Sequence, residues 1–277
     1  MSDLKGRIDF ITLIEVKEAN PNGDPSNGNR PRQIDSGLGE MSDVCIKRKI
    51  RNRLQDFGAS IFVQSEDRAI DGLTSLSKRF ETNIDAKLRK DKNALFEAVN
   101  KEWLDVRCFG QVFAFKGETV SLGVRGAVTI QPAFSISEIE TETTSIVKSV
   151  NSEETKDGKK ASDTMGEKHR VKYGLYVLKG SINARTASKN GVSDEDVELL
   201  IKAIKTMFIN DDTSARPAGS MNIKDMYVFY HNEIDGQYSP MEVFDSLEIK
   251  PIVDYPEKFE DYEVSLKELE GLNTAKL

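Results

Sequence analysis

Residues 19–58 read ANPNGDPSNGNRPRQIDSGLGEMSDVCIKRKIRNRLQDFG, and the rest of the chain is organised around them. The first half is turn chemistry. Pro21, Gly23, Pro25, Gly28, Pro31, Gly37 and Gly39 interleave with Asn and Asp, which supply fixed φ, positive φ and side-chain-to-backbone hydrogen bonds. The second half is helical. Ser42 or Asp43 can cap its first turn, and Ile46, Ile50, Leu54 and Phe57 recur at helical spacing as one apolar stripe. Lys47, Arg48, Lys49, Arg51 and Arg53 put five cations within seven residues. Arg48, Arg51, Asn52 and Gln55 fall opposite the stripe, with Lys47 at its border. Residues 44–55 hold no acid that would pair with them, and Arg30 and Arg32 add two more cations in the loop. A solvated charged face is the plain alternative. A strand-like run at 8–16 comes just before. Strand, Asn- and Gly-rich loop and basic helix together make a surface suited to phosphates.

Working outward, Ile8, Phe10, Thr12, Ile14 and Val16 share one face of the first strand, and Ile11 and Leu13 make the other apolar too. That pattern suits a central strand covered on both sides. Residues 60–117 read as a mostly helical insertion, with helices at 73–89 and 93–103 and an aromatic segment around Phe109 and Phe113. A second strand is expected at 120–134. Residues 137–170 are polar without a sustained period, which predicts a mobile loop or an extended hairpin. A strand follows at 171–182. Ser193 then caps a helix whose stripe is Val197, Leu200, Ile201, Ile204 and Phe208. The loop NDDTSARPAGSMN (210–222) leads to a last core strand at 224–230, and residues 239–277 read as a strand at 243–249 and an acidic, peripheral end. Strand, helix, strand, strand, helix, strand is an α+β order. It predicts a ferredoxin-like or RNA-recognition-motif sheet, antiparallel with both helices on one face, in a single domain (1–277) with two large insertions.

The net charge of −7 argues against a nucleic-acid binder only if it is spread evenly. It is not: residues 232–277 carry twelve acids and four lysines, while the cations concentrate between Arg30 and Arg53. An acidic tail beside a basic patch can serve head-to-tail assembly. No apolar run approaches a membrane span, the start MSDLKGRIDF lacks the apolar core of a signal peptide, and no membrane partner is expected. Cys45 and Cys108 have no CxxC spacing; they can pair, but read better as buried free thiols, and these features together make the cytoplasm the expected compartment.

Signals for catalysis are sparse. His169 and His231 are the only histidines, and no HExxH, nucleophile elbow, Walker loop or dinucleotide fingerprint is present. No cofactor, metal or catalytic residue is expected. One alternative stays open: Asp24 lies just past a strand end with Asp9 and Asp35 near in sequence, so a metal-dependent ribonuclease acting through Asp24 competes with an Asx-type turn before Pro25. In the 210–222 loop, Gly219 can let the backbone approach a phosphate while Arg216 supplies charge, or the segment is simply a tight turn. In DTMGEKH (163–169), Met165 can wedge beside a base while Lys168 and His169 take phosphate, or the methionine docks its own loop. The candidate nucleic-acid set is Asn22, Asn29, Arg30, Arg32, Lys47, Arg48, Arg51, Met165, Lys168, His169, Arg216 and Gly219.

Several stretches carry a family resemblance: NPNGD (20–24), NRPRQID (29–35), DVCIKRKIRN (43–52), WLDVRCFGQVF (103–113), GVRGAVTIQPAFSI (123–136), DTMGEKHRVKYGLYV (163–177) and ARPAGSMN (215–222). In that order they resemble the backbone subunit of CRISPR Cascade complexes, more narrowly the seventh CRISPR-associated protein family in its type I-C form. The resemblance implies a non-enzymatic RNA-binding scaffold. Copies would stack head to tail along CRISPR RNA, beside other Cascade subunits, leaving base edges free to pair with a target DNA strand. It makes 60–117 the fingers, 137–170 the thumb and the sheet the palm of a hand-shaped subunit. Each thumb would displace a base at regular intervals, with Met165 as wedge and Lys168 on the adjacent phosphate. Related type III backbone subunits cleave RNA with an aspartate, which keeps the Asp24 alternative in view. A third reading is an assembly protein whose basic helix meets an acidic partner.

Overall fold

Strand β1 (Ile8–Ala19) opens the described core, and both of its faces are buried. Phe10, Ile14 and Val16 enter one hydrophobic cluster, Ile11 and Leu13 another. Side chains alternate along a strand, so a run apolar at odd and even positions must be covered twice. The short strands β2 (Gly23–Asp24), β3 (Arg30–Pro31) and β4 (Leu38–Met41) lead to helix α1 (Asp43–Asp56). Helices α2 (Leu76–Asn83), α3 (Lys92–Glu102) and α4 (Leu104–Phe109) come next. They are followed by strands β5 (Gly110–Phe113), β6 (Leu122–Arg125), β7 (Val128–Ile130) and β8 (Ala133–Glu138). Strands β9 (Thr141–Val147) and β10 (Met165–Ile182) precede helices α5 (Ala184–Asn190) and α6 (Asp194–Lys205) and strand β11 (Met221–Tyr230). Helix α7 (Pro240–Asp245) and strands β12 (Leu247–Pro251), β13 (Tyr262–Leu266) and β14 (Asn273–Lys276) complete the chain. The computed structural model describes residues 4–117, 120–147 and 165–277.

The main sheet runs β14-β11-β1-β10-β8-β4, with β7 and β9 also paired to β10. Every one of these pairings is antiparallel. Reduced to its repeating parts, the order in space is fourth, first, third, second strand, the ferredoxin-like arrangement expected from sequence. Ile46, Ile50 and Leu54 of α1 and Val197, Leu200 and Ile204 of α6 share the core beneath one sheet face with Phe10, Ile14 and Leu178. Ser42 Oγ accepts from Cys45 N (3.3 Å) to start α1, and a Ser193–Asp196 capping box starts α6. Across the central pair, Phe10 faces Gly180, where a Cβ would sit 2.2 Å from Phe10 Cζ. The glycine is what lets the ring lie over the neighbouring strand.

Four expectations change. The strand at 120–134 is three strands, interrupted at Gly126, where a Cβ would meet Cys108 O at 2.4 Å, and at Pro132, which has no N–H for a ladder. The helix at 73–89 is only α2, ending as Ile84 turns extended. The run at 243–249 is not one strand, because Ser239 and Glu242 form a capping box with Pro240 at the first turn and begin α7. The tail is also not peripheral. Val243, Phe244, Leu247 and Tyr262 bury against Ile11, Leu13, Leu175 and Phe229, closing the sheet face opposite the helices, and β14 extends its edge.

The 60–117 insertion has its own core of Phe62, Phe80, Leu95, Val99, Trp103 and Phe113, with Phe62 and Trp103 ring centroids 4.5 Å apart. In the 137–170 insertion, β9 and the start of β10 are paired arms of an extended hairpin, His169 opposite Thr143; residues 148–164 lie outside the described residues. Cys45 and Cys108 are both free, and burial pushes the Cys108 thiol up to about 12. Among the described residues, no helix is long and apolar enough to cross a membrane.

Candidate nucleic-acid interface

A free cationic face on α1 requires cations without partners, and the structure supplies partners. Arg51 Nε donates to Asp105 Oδ2 (2.8 Å), a fully buried carboxylate that also accepts from Phe62 N (2.7 Å) and Val63 N (3.1 Å). Arg48 NH1 donates to Val63 O (2.7 Å). Lys49 is buried and donates to Asp211, which opposes the downward push of burial on its ammonium. Lys47 pairs with Asp43 one turn earlier (2.9 Å), and Arg53 with Asp56 (3.2 Å) and Thr206 Oγ1 (2.9 Å). The geometry explains why. Sheet, α6 and the segment after Ile61 enclose the helix, so only Val44 and Asp56 of α1 are exposed. Arg48 and Arg51 tie α1 to the 60–117 insertion, and Lys49 and Arg53 tie it to the end of α6 and the loop beyond.

A cleft of about 490 Å³ opens elsewhere, where three segments singled out in the sequence converge. Asn20, Gly28 and Asn29 come from the loop after β1; Ile146, Lys168, His169 and Arg170 from the β9–β10 hairpin; Ser214, Ala215 and Pro217 from the loop before β11. Asn20 ties two of these together, its N–H donating to Ala215 O (2.8 Å) and its Nδ2 to Asn29 O (2.7 Å). Arg30 ties in the third, donating to Thr143 Oγ1 (3.3 Å) and lying 3.7 Å from Glu167. Glu18 and Asn29 hold left-handed φ of 51° and 58° at this cleft, and among the described residues only Asn210 joins them as a non-glycine with positive φ. Such backbone cost concentrates at functional sites. Glu18, near the end of β1, pairs with Arg170 (2.6 Å).

The family model for CRISPR-associated protein Cas7 matches residues 6–267, a span that includes every residue of the cleft. The chain belongs to the Cas7 family. A CRISPR-associated protein Cas7 from Haloferax volcanii is 28% identical over 230 residues, 77% of this chain and 67% of the relative. A chain of a CRISPR RNA-guided surveillance complex in a pre-nicking state is 13% identical, with a TM-score of 0.47 over 80% of this chain and 78% of that one. A chain of another CRISPR RNA-guided surveillance complex is 15% identical, with a TM-score of 0.47 over 81% and 69%.

In this Cas7, Asn29, Lys168 and His169 line the cleft and Arg30 stands at its edge. Lys168 is exposed, and its side chain has no hydrogen bond or ion pair among the described residues. His169 is engaged: its side chain is 6% exposed, with Nδ1 2.9 Å from Thr143 Oγ1 and Nε2 3.5 Å from Glu167. Met165 is 70% exposed opposite Val147, so it does not dock its loop onto the core. Arg216 turns away to Asp211 (3.0 Å), the carboxylate that also holds Lys49. Gly219 (φ 79°) sits in a neighbouring depression with Phe208 and Asn210.

Asn22 and Arg32 brace the entry to α1. Asn22 Oδ1 accepts from Ser42 N and Ser42 Oγ (2.9 Å each), and Arg32 lies 3.8 Å from both Asp24 and Glu40. Asp24 Oδ1 accepts from Ser26 N (3.0 Å), the Asx-type turn. Asp9 is ten residues up an extended strand from the loop, roughly 33 Å away, and is paired with Arg7 and His231 (2.9 Å each). Among the described residues, no three His, Cys, Asp or Glu side chains gather to hold a metal. Sequence reasoning missed Asn20, Glu18 and Ile146. Asn20 lay within the quoted NPNGD run, and its link to Ala215 has no local sequence signal.

Proposed function

We propose that this Cas7 chain is the guide-RNA-binding backbone subunit of a type I-C Cascade complex, and that the guide passes through the cleft at Asn20, Asn29 and Lys168. The observation that carries the reading is the convergence of the three segments on one cleft with Lys168 unpaired at its wall. Lys168 and Arg30 suit phosphates, the Asn side chains suit sugar and backbone, and the exposed Ile146, Val147 and Met165 suit base faces. Glu18 is held by Arg170, and the exposed Arg30, only in loose contact with Glu167 at 3.7 Å, is free to exchange that contact for a phosphate. Contacts of these kinds to phosphate, sugar and base faces leave base edges free, so binding is sequence-tolerant and specificity passes to pairing with target DNA.

In this reading, copies stack head to tail in the cytoplasm beside other Cascade subunits. The tip between β12 and β13 exposes Ile252, Val253 and Tyr255 among acids, an acidic-apolar surface suited to such contacts. The subunit itself performs no cleavage: Asp24 serves its own turn. The test is binding of a CRISPR RNA by the purified subunit with and without Arg30→Ala and Lys168→Ala, where the double variant should bind more weakly. Unchanged affinity would remove the cleft from the reading.

A further inference from the structure

Among the residues lining the cleft, Asn20 alone has a buried side-chain polar atom without a hydrogen-bond partner, its Oδ1. The residue is 7% exposed. Its amide orientation is fixed, because Nδ2 donates to Asn29 O (2.7 Å) and a carbonyl can only accept. Flipping the amide would set two acceptors against each other. The orphan is therefore an acceptor, and what completes it must be a donor.

A bound strand offers few donors. Phosphates only accept, and base edges differ from one nucleotide to the next. The ribose 2′-hydroxyl is the donor present at every ribonucleotide and at no deoxyribonucleotide. A site that takes any guide sequence can depend on that group alone. We propose that Asn20 Oδ1 accepts a hydrogen bond from a ribose 2′-hydroxyl and makes this cleft select RNA over DNA. The inference rests on the cleft being the guide site. Oδ1 is shielded in the free chain, so the strand reaches it only when the segments lining the cleft part while Asn20 Nδ2 keeps its bond to Asn29 O.

The experiment measures binding of three short single strands of one sequence: RNA, a 2′-fluoro strand that cannot donate from that position, and DNA. Wild type should bind RNA about 2- to 10-fold tighter than the 2′-fluoro strand, the worth of one ordinary hydrogen bond. Asn20→Ala should bring that ratio to one. Asn20→Asp keeps an acceptor while losing the donor to Asn29, so it should bind more weakly overall yet retain the preference. A wild-type ratio of one, an unchanged ratio in Asn20→Ala, or levelling by Asn20→Asp as well would each overturn the inference; the last would assign the effect to the Asn29 link. If wild type binds RNA with no such preference, the guide-site reading survives and only the inference falls. If it binds none of the three strands, the guide-site reading falls with it.

Discussion

Arg51 Nε donates to Asp105 Oδ2 at 2.8 Å, and that carboxylate is wholly buried. The pair fastens α1 to α4 of the 60–117 insertion, with Arg51 also lying over the Phe109 ring at 5.1 Å. Asp105→Ala removes the acceptor for Arg51 and for the Phe62 and Val63 amides together. Breaking a buried pair from one side costs about 3–5 kcal/mol, so the urea midpoint should fall sharply. A midpoint matching the parent's would show that water reaches and satisfies these groups.

The same geometry divides the cations by their effect on binding. Arg30→Ala with Lys168→Ala should shallow the slope of log affinity against log salt by about 1.4 for a single strand, two phosphate contacts' worth. Arg48→Ala with Arg51→Ala should instead lower stability and leave that slope near the parent's once folding is controlled. The reverse pattern would return the guide to α1.

Those helix cations show where sequence reading stopped. Asp105 and Asp211 lie 54 and 162 residues from Arg51 and Lys49, beyond any local pattern. The Asp43–Lys47 pair was within reach, one helical turn apart, and a window beginning at Val44 left it out. The strand order was legible because the faces of β1 and the stripe of α6 follow periods of two and 3.6 without interruption. The tail was not: its charge obscured Val243, Phe244, Leu247 and Tyr262, although Ser239, Pro240 and Glu242 spelled a helix start. The cleft's three segments were each visible, but their meeting depends on β1 and β10 pairing in register, which no single segment encodes.

Gly180→Ala should crowd the Phe10 ring and destabilise by about 1–3 kcal/mol, the usual range for overpacking. Adding Phe10→Leu should recover part of the loss, a coupling measurable by a double-mutant cycle. Strictly additive losses would mean that the ring is not what the new methyl meets.

Acid should weaken the fold through Asp9. Burial pushes its carboxyl up, but hydrogen bonds from His231, Ser181 and Arg7 outweigh that and hold it below its ordinary value. The Arg79 guanidinium does the same for Asp71. A native carboxyl with a lowered pKa adds stability that is complete above the unfolded value, about 4, and lost as pH falls through the native one. Asp9→Asn should therefore be less stable than the parent at neutral pH, with the deficit shrinking below about pH 4. Urea midpoints from neutral to acid pH test this; a constant deficit would contradict it.

The most direct measurement is the nucleic acid that this Cas7 retains when purified from cells carrying a CRISPR array. The account predicts RNA of uniform length with repeat-derived ends, and much less of it with Arg30→Ala and Lys168→Ala. Random cellular RNA, no RNA at moderate salt, or an unchanged yield from the double variant would contradict a guide-binding cleft.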